Sequence, residues 1–166
     1  MSRVLIRTPT TTDQAEFLAL AMSSRSFHSP WVTAPSSAAE FHAYISRMSQ
    51  AENRAFLVCS RSTGNILGVI NITNIVFGAF RSAYLGYYVF AGNERQGFMR
   101  EGLRSVIKHA FASIRLHRLE ANIQPANAAS IGLVQSCGFS REGYSPRYLK
   151  IGSRWRDHER WAMLSS

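Results

Sequence analysis

The hydrophobic pattern at the start of the chain predicts one short strand and two helices. Residues 4–6 are three aliphatic side chains in a row, as in a buried strand. Thr11 with Gln14, and Ser37 with Glu40, have the spacing of helical capping boxes. The inward-facing residues expected of the two helices are Phe17, Leu18, Ala21 and Met22, and then Phe41, Tyr44, Ile45 and Met48.

Strand patterns follow, and then a long amphipathic helix. Residues 55–60 and 66–75 flank a polar turn and predict a hairpin, and residues 83–90 predict a further strand. Gly97 opens the most periodic helix of the chain. Its apolar face comprises Phe98, Met99, Leu103, Val106, Ile107, Ala110, Phe111 and Ile114, with Arg100, Arg104, Lys108 and His109 largely opposite.

The C-terminal part predicts a strand at residues 119–123 and a short helix that Asn127 would cap and Gly138 would end. Two strands, at residues 140–150 and 154–164, complete the chain. No repeat or linker interrupts the pattern, so we expect residues 1–166 to form one domain. The order β-α-α-β-β-β-α-β-α-β-β predicts an α/β (α+β) fold, a mixed sheet with about four helices on its faces.

Composition narrows the class of protein. The net charge of +9 favours a nucleic acid, a ribosome surface or a polyphosphate cofactor as partner, or it is simply a solubilising surface. No basic run or nucleic-acid motif indicates sequence-specific nucleic acid binding, and no apolar run approaches the ~20 residues of a membrane span. Two distant cysteines and histidines without ligand spacing indicate a cytoplasmic protein with no disulfide framework and no metal.

The turn before the long helix is the first candidate for chemistry. A helix N-terminus presents unpaired N–H groups and the positive end of the helix dipole. Gly97 has no side chain to keep a pyrophosphate away from that backbone. An ordinary turn has the same pattern. Neither G-x-G-x-x-G nor a P-loop motif is present, which disfavours hydride transfer and nucleotide hydrolysis.

Further segments recur with this turn in one family. In order and spacing the chain resembles the GNAT acetyltransferases, especially their ribosomal-protein N-terminal acetyltransferase branch (RimJ/RimL-like). The resemblance covers nearly the whole chain and implies a mostly antiparallel seven-stranded sheet and acetyl-CoA as co-substrate. It is carried by Leu85-Gly86-Tyr87, Gly97 to Leu103, His117-Arg118, Asn127-Ala128-Ala129-Ser130-Ile131, Cys137-Gly138-Phe139, Glu142-Gly143-Tyr144 and Gly152 to His158.

The resemblance implies which residues bind acetyl-CoA. Backbone groups of Tyr88 and Val89 would pair with the pantetheine arm as an added strand does. Asn127 and Ser130 would contact the same arm, although both are also ordinary residues for the start of a helix. The pyrophosphate would be held by the backbone amides of Arg95, Gln96, Gly97, Phe98, Met99 and Arg100.

Two residues of the turn depart from the branch pattern. Glu94 stands where the family has glutamine or arginine, and Arg95 stands where a glycine is frequent. A carboxylate near a pyrophosphate is unfavourable unless it turns away or pairs with an arginine. The role of the side chain at position 94 is therefore open, whereas binding through the backbone is unaffected.

The resemblance implies direct acetyl transfer from the thioester to a neutral amine. A backbone N–H near Val89 would polarise the carbonyl, and Ser130 would protonate the leaving thiolate, because Val134 replaces the tyrosine that many GNAT enzymes use. Asn122 stands where some N-terminal acetyltransferases have a glutamate, and it could position a water. Glu120 lies on the same strand face, as a base or as a strand-end charge.

Two other residues are candidates that the strand pattern disfavours. Asp157 and His158 could form a carboxylate–imidazole pair, but neighbouring strand residues point to opposite faces. We therefore do not expect a direct contact between them.

Two aromatic residues, Trp31 and Tyr144, are expected to line the acceptor pocket and to favour a small first side chain. The expected function is acetylation of a protein's N-terminal α-amine at an Ala or Ser start, with association with the ribosome as a possible context. A small amine (polyamine or aminoglycoside) is the alternative acceptor, and a catalytically silent acyl-CoA-binding module is the alternative class. Monomer and homodimer both stay open.

Overall fold

The structure is a computed structural model that describes residues 1–166. Its strands form one seven-stranded sheet in the order β1-β2-β3-β4-β5-β7-β6. The strands are β1 (Val4–Arg7), β2 (Arg54–Ser60), β3 (Ile66–Val76), β4 (Ser82–Val89), β5 (Arg118–Ile123), β6 (Ser140–Ile151) and β7 (Arg154–Leu164). The helices are α1 (Gln14–Ser23), α2 (Arg25–His28), α3 (Ala38–Met48), α4 (Phe98–Ala112) and α5 (Ala128–Ser136). None of them is long and apolar enough to cross a membrane.

The predicted fold class is confirmed. Every pair of neighbouring strands is antiparallel except β4 and β5, which are parallel. The structure has five α-helices rather than about four, because the sequence pattern did not predict the short α2. A helix of one turn has too few residues to show an apolar period.

The first capping box was placed one residue too late. Asp13, not Gln14, closes it, because the Asp13 carboxylate accepts from the backbone N–H of Thr10 (2.7 Å) and from the guanidinium of Arg7 (2.9 and 2.6 Å). In helix α1, Met22 is 61% exposed, although it was expected to face inward. The second box is confirmed at its cap, where Ser37 accepts from the backbone N–H of Glu40 (3.2 Å).

The sheet has a hydrophobic core on each face. One core joins the sheet to α4 and α5, through residues such as Leu103, Val106 and Val134. The other joins it to α1 and α3, where Phe17 packs on Phe41 and on Phe90 with ring centroids 5.0 and 5.4 Å apart. Each such side chain contributes about 1.5–3 kcal/mol when fully buried. The two cores hold the end of β4 rigidly between them, and the candidate site begins there.

Candidate active site

The central strands β4 and β5 pair over only half of their length. Residues 82–85 of β4 pair with residues 118–121 of β5, and beyond this point β4 pairs with β3 alone. The N–H of Phe90 donates to the carbonyl of Leu67 on β3 (2.9 Å). Along a strand of an antiparallel pair, residues whose backbone groups bond to the neighbouring strand alternate with residues whose backbone groups face away from it. The N–H and C=O of Val89 therefore face the gap between the strands, whereas those of Tyr88 face β3. The predicted backbone pairing with the pantetheine arm is thus wrong for Tyr88, because its backbone groups are turned towards β3. The gap thus exposes an open strand edge at Val89.

A cleft of about 670 Å³ lies in this gap. Its walls are the end of β4, the turn before α4, the start of α5 and the loop around Trp31. Among the residues predicted to bind the cofactor, those that line it are Tyr88, Val89, Arg95, Gly97, Phe98, Met99, Arg100, Asn127 and Ser130. The side chain of Gln96 turns away instead, because its Nε2 donates to the carbonyl of Gly92 (2.9 Å).

The turn before α4 presents a row of free backbone donors. None of the N–H groups from residue 94 to residue 100 has an acceptor within the protein, whereas those of Gly92 and Asn93 are satisfied by Glu94 and Phe90. Positive φ angles of 61° at Arg95 and 80° at Gly97 curl the turn. Such a curl of amides at a helix N-terminus is an anion-binding geometry that suits a diphosphate.

Glu94 is accommodated by the turn itself. Its carboxylate accepts from the N–H of Gly92 (2.6 Å), so the charge is held by the loop backbone and not by an arginine. On the outer side, the guanidinium of Arg3 donates to the carbonyl of Gln96 (2.8 Å) and pairs with Glu101 (2.5 Å). These contacts brace the turn from β1 and leave its free N–H groups available to the cleft.

Ser130 lies in the first turn of α5, where two contacts fix it. The side chain of Asn127 caps the helix by accepting from the Ser130 N–H (3.3 Å). The Ser130 hydroxyl is 2.7 Å from the hydroxyl of Tyr87 on β4. Burial raises the pKa of Tyr87, so its phenol stays protonated at neutral pH. Val134, by contrast, is fully buried in the core. The sequence analysis missed Tyr87, although it is the tyrosine nearest to the candidate acid.

A small second cavity of about 150 Å³ opens from the cleft. The two spaces share Trp31, Val32, Tyr87, Asn127 and Ser130 as lining residues. Asn122 lines the small cavity, and its Oδ1 is buried without a hydrogen-bond partner. No carboxylate lines this cavity. We call it the acceptor cavity. The unpaired Oδ1 of Asn122 could accept a hydrogen bond there from a bound molecule, beside the hydroxyls of Tyr87 and Ser130.

His158 also lines the acceptor cavity and is 2% exposed. Its Nδ1 lies 2.9 Å from the carbonyl of Arg156, which can only accept, so Nδ1 carries the proton and Nε2 of the neutral ring has the lone pair. Asp157 points the other way and accepts from the hydroxyl of Tyr144 (2.5 Å). The expected lack of a pair between Asp157 and His158 agrees with this arrangement, but the cavity-facing position of His158 was not foreseen.

Besides Gln96, two predicted site residues lie outside both spaces. Glu120 accepts from the guanidinium of Arg118 (2.7 Å), which also pairs with Glu142, so an ion pair holds its carboxylate away from the acceptor cavity. Tyr144 pairs with Glu159 across the β6–β7 ladder, on the face opposite His158, and is 46% exposed. The register of β7 therefore removes Tyr144 from the acceptor cavity.

His28 closes the cleft from the side of α2. It is 5% exposed, and its Nε2 donates to the carbonyl of Val89 (2.8 Å). Burial lowers the pKa of His28, which favours the neutral ring. One lone pair of the Val89 carbonyl is thus already used, and the Val89 N–H is the group of this strand edge that stays open.

An open strand edge, a curl of free amides and a buried hydroxyl pair therefore meet in one cleft beside a small acceptor cavity. This arrangement defines a transferase site for a long, phosphate-bearing co-substrate. The profile of the acetyltransferase (GNAT) domain matches residues 3–140. The chain belongs to the GNAT acetyltransferase family and is an N-acetyltransferase of that type; enzymes of this type use acetyl-CoA.

Two curated relatives carry related names. The chain is 31% identical to the "Probable N-acetyltransferase YjcK" of Bacillus subtilis over 74% of this chain and 67% of the relative. It is 40% identical to the "[Ribosomal protein uS5]-alanine N-acetyltransferase" of Escherichia coli over 56% of this chain. That match spans 48% of the relative, about half of its length.

Solved structures share the whole fold. RimJ of Mycobacterium smegmatis in complex with CoA-disulfide superposes with a TM-score of 0.90 at 25% identity, over 98% of this chain and 82% of that one. Spermidine N-acetyltransferase of Vibrio cholerae, in complex with CoA and spermine, gives 0.83 at 22% identity over 98% and 95%. At that identity the second likeness concerns the fold alone.

Proposed function

We propose that this protein transfers the acetyl group of acetyl-CoA directly to the N-terminal α-amine of proteins that begin with a small residue, ribosomal proteins among them. The observation that carries the proposal is the small acceptor cavity without a carboxylate. A polyamine carries several ammonium groups, and an apolar cavity without counter-charges would bind them poorly. One neutral α-amine with a short side chain fits such a space.

The pKa of the acceptor amine also supports an N-terminal α-amine over a lysine side chain. An α-amine has a pKa of about 7.7–8.0, against about 10.4 for a lysine side chain. A usable fraction of the α-amine is therefore neutral at physiological pH, so a site with one weak base suffices. A lysine side chain would need a much stronger base, and the structure has no carboxylate in the acceptor cavity.

For the co-substrate, the N–H of Val89 and the free amides of residues 95–100 are the proposed binding groups, together with Asn127. The amides would hold the diphosphate, and Arg95 and Arg100 add positive charge at the rim of the cleft. The bound co-substrate supplies the activated acetyl group. The Val89 N–H would donate to the thioester carbonyl and stabilise the negative charge that develops there.

One side chain is proposed to orient the amine and three to transfer protons. The unpaired Oδ1 of Asn122 would accept from the incoming amine and orient it. Nε2 of His158 would take the proton that the amine loses, directly or through a water. Ser130 would give its proton to the leaving thiolate, and Tyr87, 2.7 Å away, would pass its own proton to Ser130. The proton that His158 takes from the amine would return to Tyr87 through water, so that both residues are restored for the next cycle.

The proposal is tested by offering several amines together. Peptides that begin with Ala or Ser and contain internal lysines are incubated with acetyl-CoA beside spermidine and an aminoglycoside, and products are located by mass spectrometry. We expect acetylation at the α-amine. Acetyl groups only on lysines or on the small amines would contradict it. Release of no CoA thiol with any amine would indicate a silent binding module.

A further inference from the structure

A third cavity adjoins the acceptor cavity and is not used by the proposed reaction. It has a volume of about 340 Å³ and lies between α2, the loop that follows it and the β6–β7 turn. It shares Val32 and Ile151 with the acceptor cavity, so the two spaces are direct neighbours. A molecule with its amine in the acceptor cavity could therefore extend into this third space.

Three arginines line this cavity, namely Arg25, Arg154 and Arg156, and no carboxylate does. None of the three takes part in an ion pair, whereas Arg3, Arg7, Arg118 and Arg141 are all paired with carboxylates elsewhere. The Nε of Arg156 is buried and has no acceptor. A buried donor without an acceptor is unfavourable, so an anion bound beside Arg156 would be stabilised by this donor.

We propose that this arginine cavity binds acidic side chains of the acceptor protein, located a few residues after the α-amine that is acetylated. This inference rests on the proposed N-terminal acetylation. The planar guanidinium fork matches a carboxylate with two parallel hydrogen bonds. Three such groups around one cavity select an acidic segment and repel a polycation. The cavity would thus add acceptor selectivity that the small acceptor cavity cannot provide.

An RNA phosphate is the other anion to consider, and the lining disfavours it. Proteins that bind single-stranded nucleic acid combine positive charge with aromatic side chains on which bases stack. No Phe, Tyr or Trp lines the arginine cavity. Carboxylates of the acceptor itself are therefore the occupant that the surroundings favour.

The test compares matched peptides that begin with Ala. One series has Asp or Glu at positions 2 to 5, singly and in pairs, and the other has Asn or Gln at the same positions. For the wild-type protein we expect KM to be roughly tenfold lower for the best acidic peptide than for its neutral match. Arg25→Glu and Arg154→Glu should each abolish this ratio. Both side chains are exposed, so the variants should fold.

Arg115→Glu is the control, since Arg115 is exposed at the other end of the sheet and the substitution changes net charge equally. Equal KM for acidic and neutral peptides in the wild-type protein, or the same loss of ratio in the control, would overturn the proposal. So would a single-stranded RNA oligonucleotide that binds through Arg25 and Arg154 when the acidic peptide does not. If no peptide is acetylated, the proposed function fails. The proposal about the arginine cavity is then tested separately, by measuring the binding of the acidic and neutral peptides by calorimetry. Arginine-dependent binding of the acidic peptide alone would support it, and equal binding of both peptides would overturn it.

Discussion

The contact between Tyr87 and Ser130 yields the sharpest prediction, because it joins two residues 43 positions apart in a single proton path. Ser130→Ala removes the proposed acid, and Tyr87→Phe removes only the hydroxyl that would reprotonate it. General acid assistance is worth about 10²–10⁴-fold, so we expect Ser130→Ala to lower kcat about 100-fold. A supporting hydrogen bond contributes about 1 kcal/mol, so Tyr87→Phe should lower kcat roughly fivefold to tenfold.

The decisive quantity is the coupling between the two changes. If Tyr87 acts through Ser130, the double variant should be no slower than Ser130→Ala alone. The assay follows release of the CoA thiol at saturating acetyl-CoA, with KM for acetyl-CoA measured separately and expected to change little. Tyr84→Phe is the matched control, because Tyr84 is an exposed tyrosine on the same strand. Independent, multiplicative losses of kcat would refute the proton path, and a loss confined to KM would make Ser130 a binding residue.

Two further predictions concern the cleft. Gly97→Glu should abolish stabilisation by acetyl-CoA, which for the wild-type protein should reach about 2.7 kcal/mol at 100 times the dissociation constant. The control Gly64→Glu, at a similar φ of 79° in a hairpin turn, should lose only about 1–2 kcal/mol of stability from backbone strain and keep the thermal shift with acetyl-CoA. A Gly97→Glu protein that still shows the thermal shift would place the diphosphate elsewhere. Burial lowers the pKa of His28, so the contribution of the neutral ring to the free energy of unfolding should be complete above the unfolded pKa of about 6.5 and be lost as pH falls through the lower folded pKa. In urea unfolding between pH 8 and 5, the free energy of unfolding should fall less steeply with decreasing pH for His28→Gln than for the wild-type protein, and identical slopes would contradict this.

Local sequence signals predicted most of the fold and the positions of the Gly97 turn and the Asn127 cap, which line the cleft. Strand alternation and turn residues are local, and Asn127 caps a helix with atoms three residues away, so each could be read from a short window. Which residues line the acceptor cavity depends on contacts between residues far apart in the sequence, and a short stretch of sequence does not show such contacts. Tyr144 was misplaced because its face depends on the β6–β7 register. Glu120 was misplaced because an arginine on its own strand captures it.

Asp157 and His158 lie on opposite faces of β7, as the alternation of strand residues predicts. Alternation alone does not show what His158 faces once Asp157 faces outward. That depends on the antiparallel pairing of β7 with β5, which brings His158 into the same cavity as Asn122. Topology, and not residue type, decides which polar side chains converge there.

In the proposed mode of binding, the turn from residue 94 to residue 100 would hold the diphosphate mainly with main-chain N–H groups, and Arg95 and Arg100 would add charge at the rim. Every amino acid except proline carries the same N–H, so the main part of this binding does not depend on the other side chains of the turn. The spacing of the chain and the two left-handed residues, Arg95 and Gly97, matter instead. Glu94 can therefore replace a more usual residue without harm, whereas deletion of one residue would dismantle the curl. A protein engineer could change the remaining side chains of this loop as long as its length, Gly97 and the two arginines are kept.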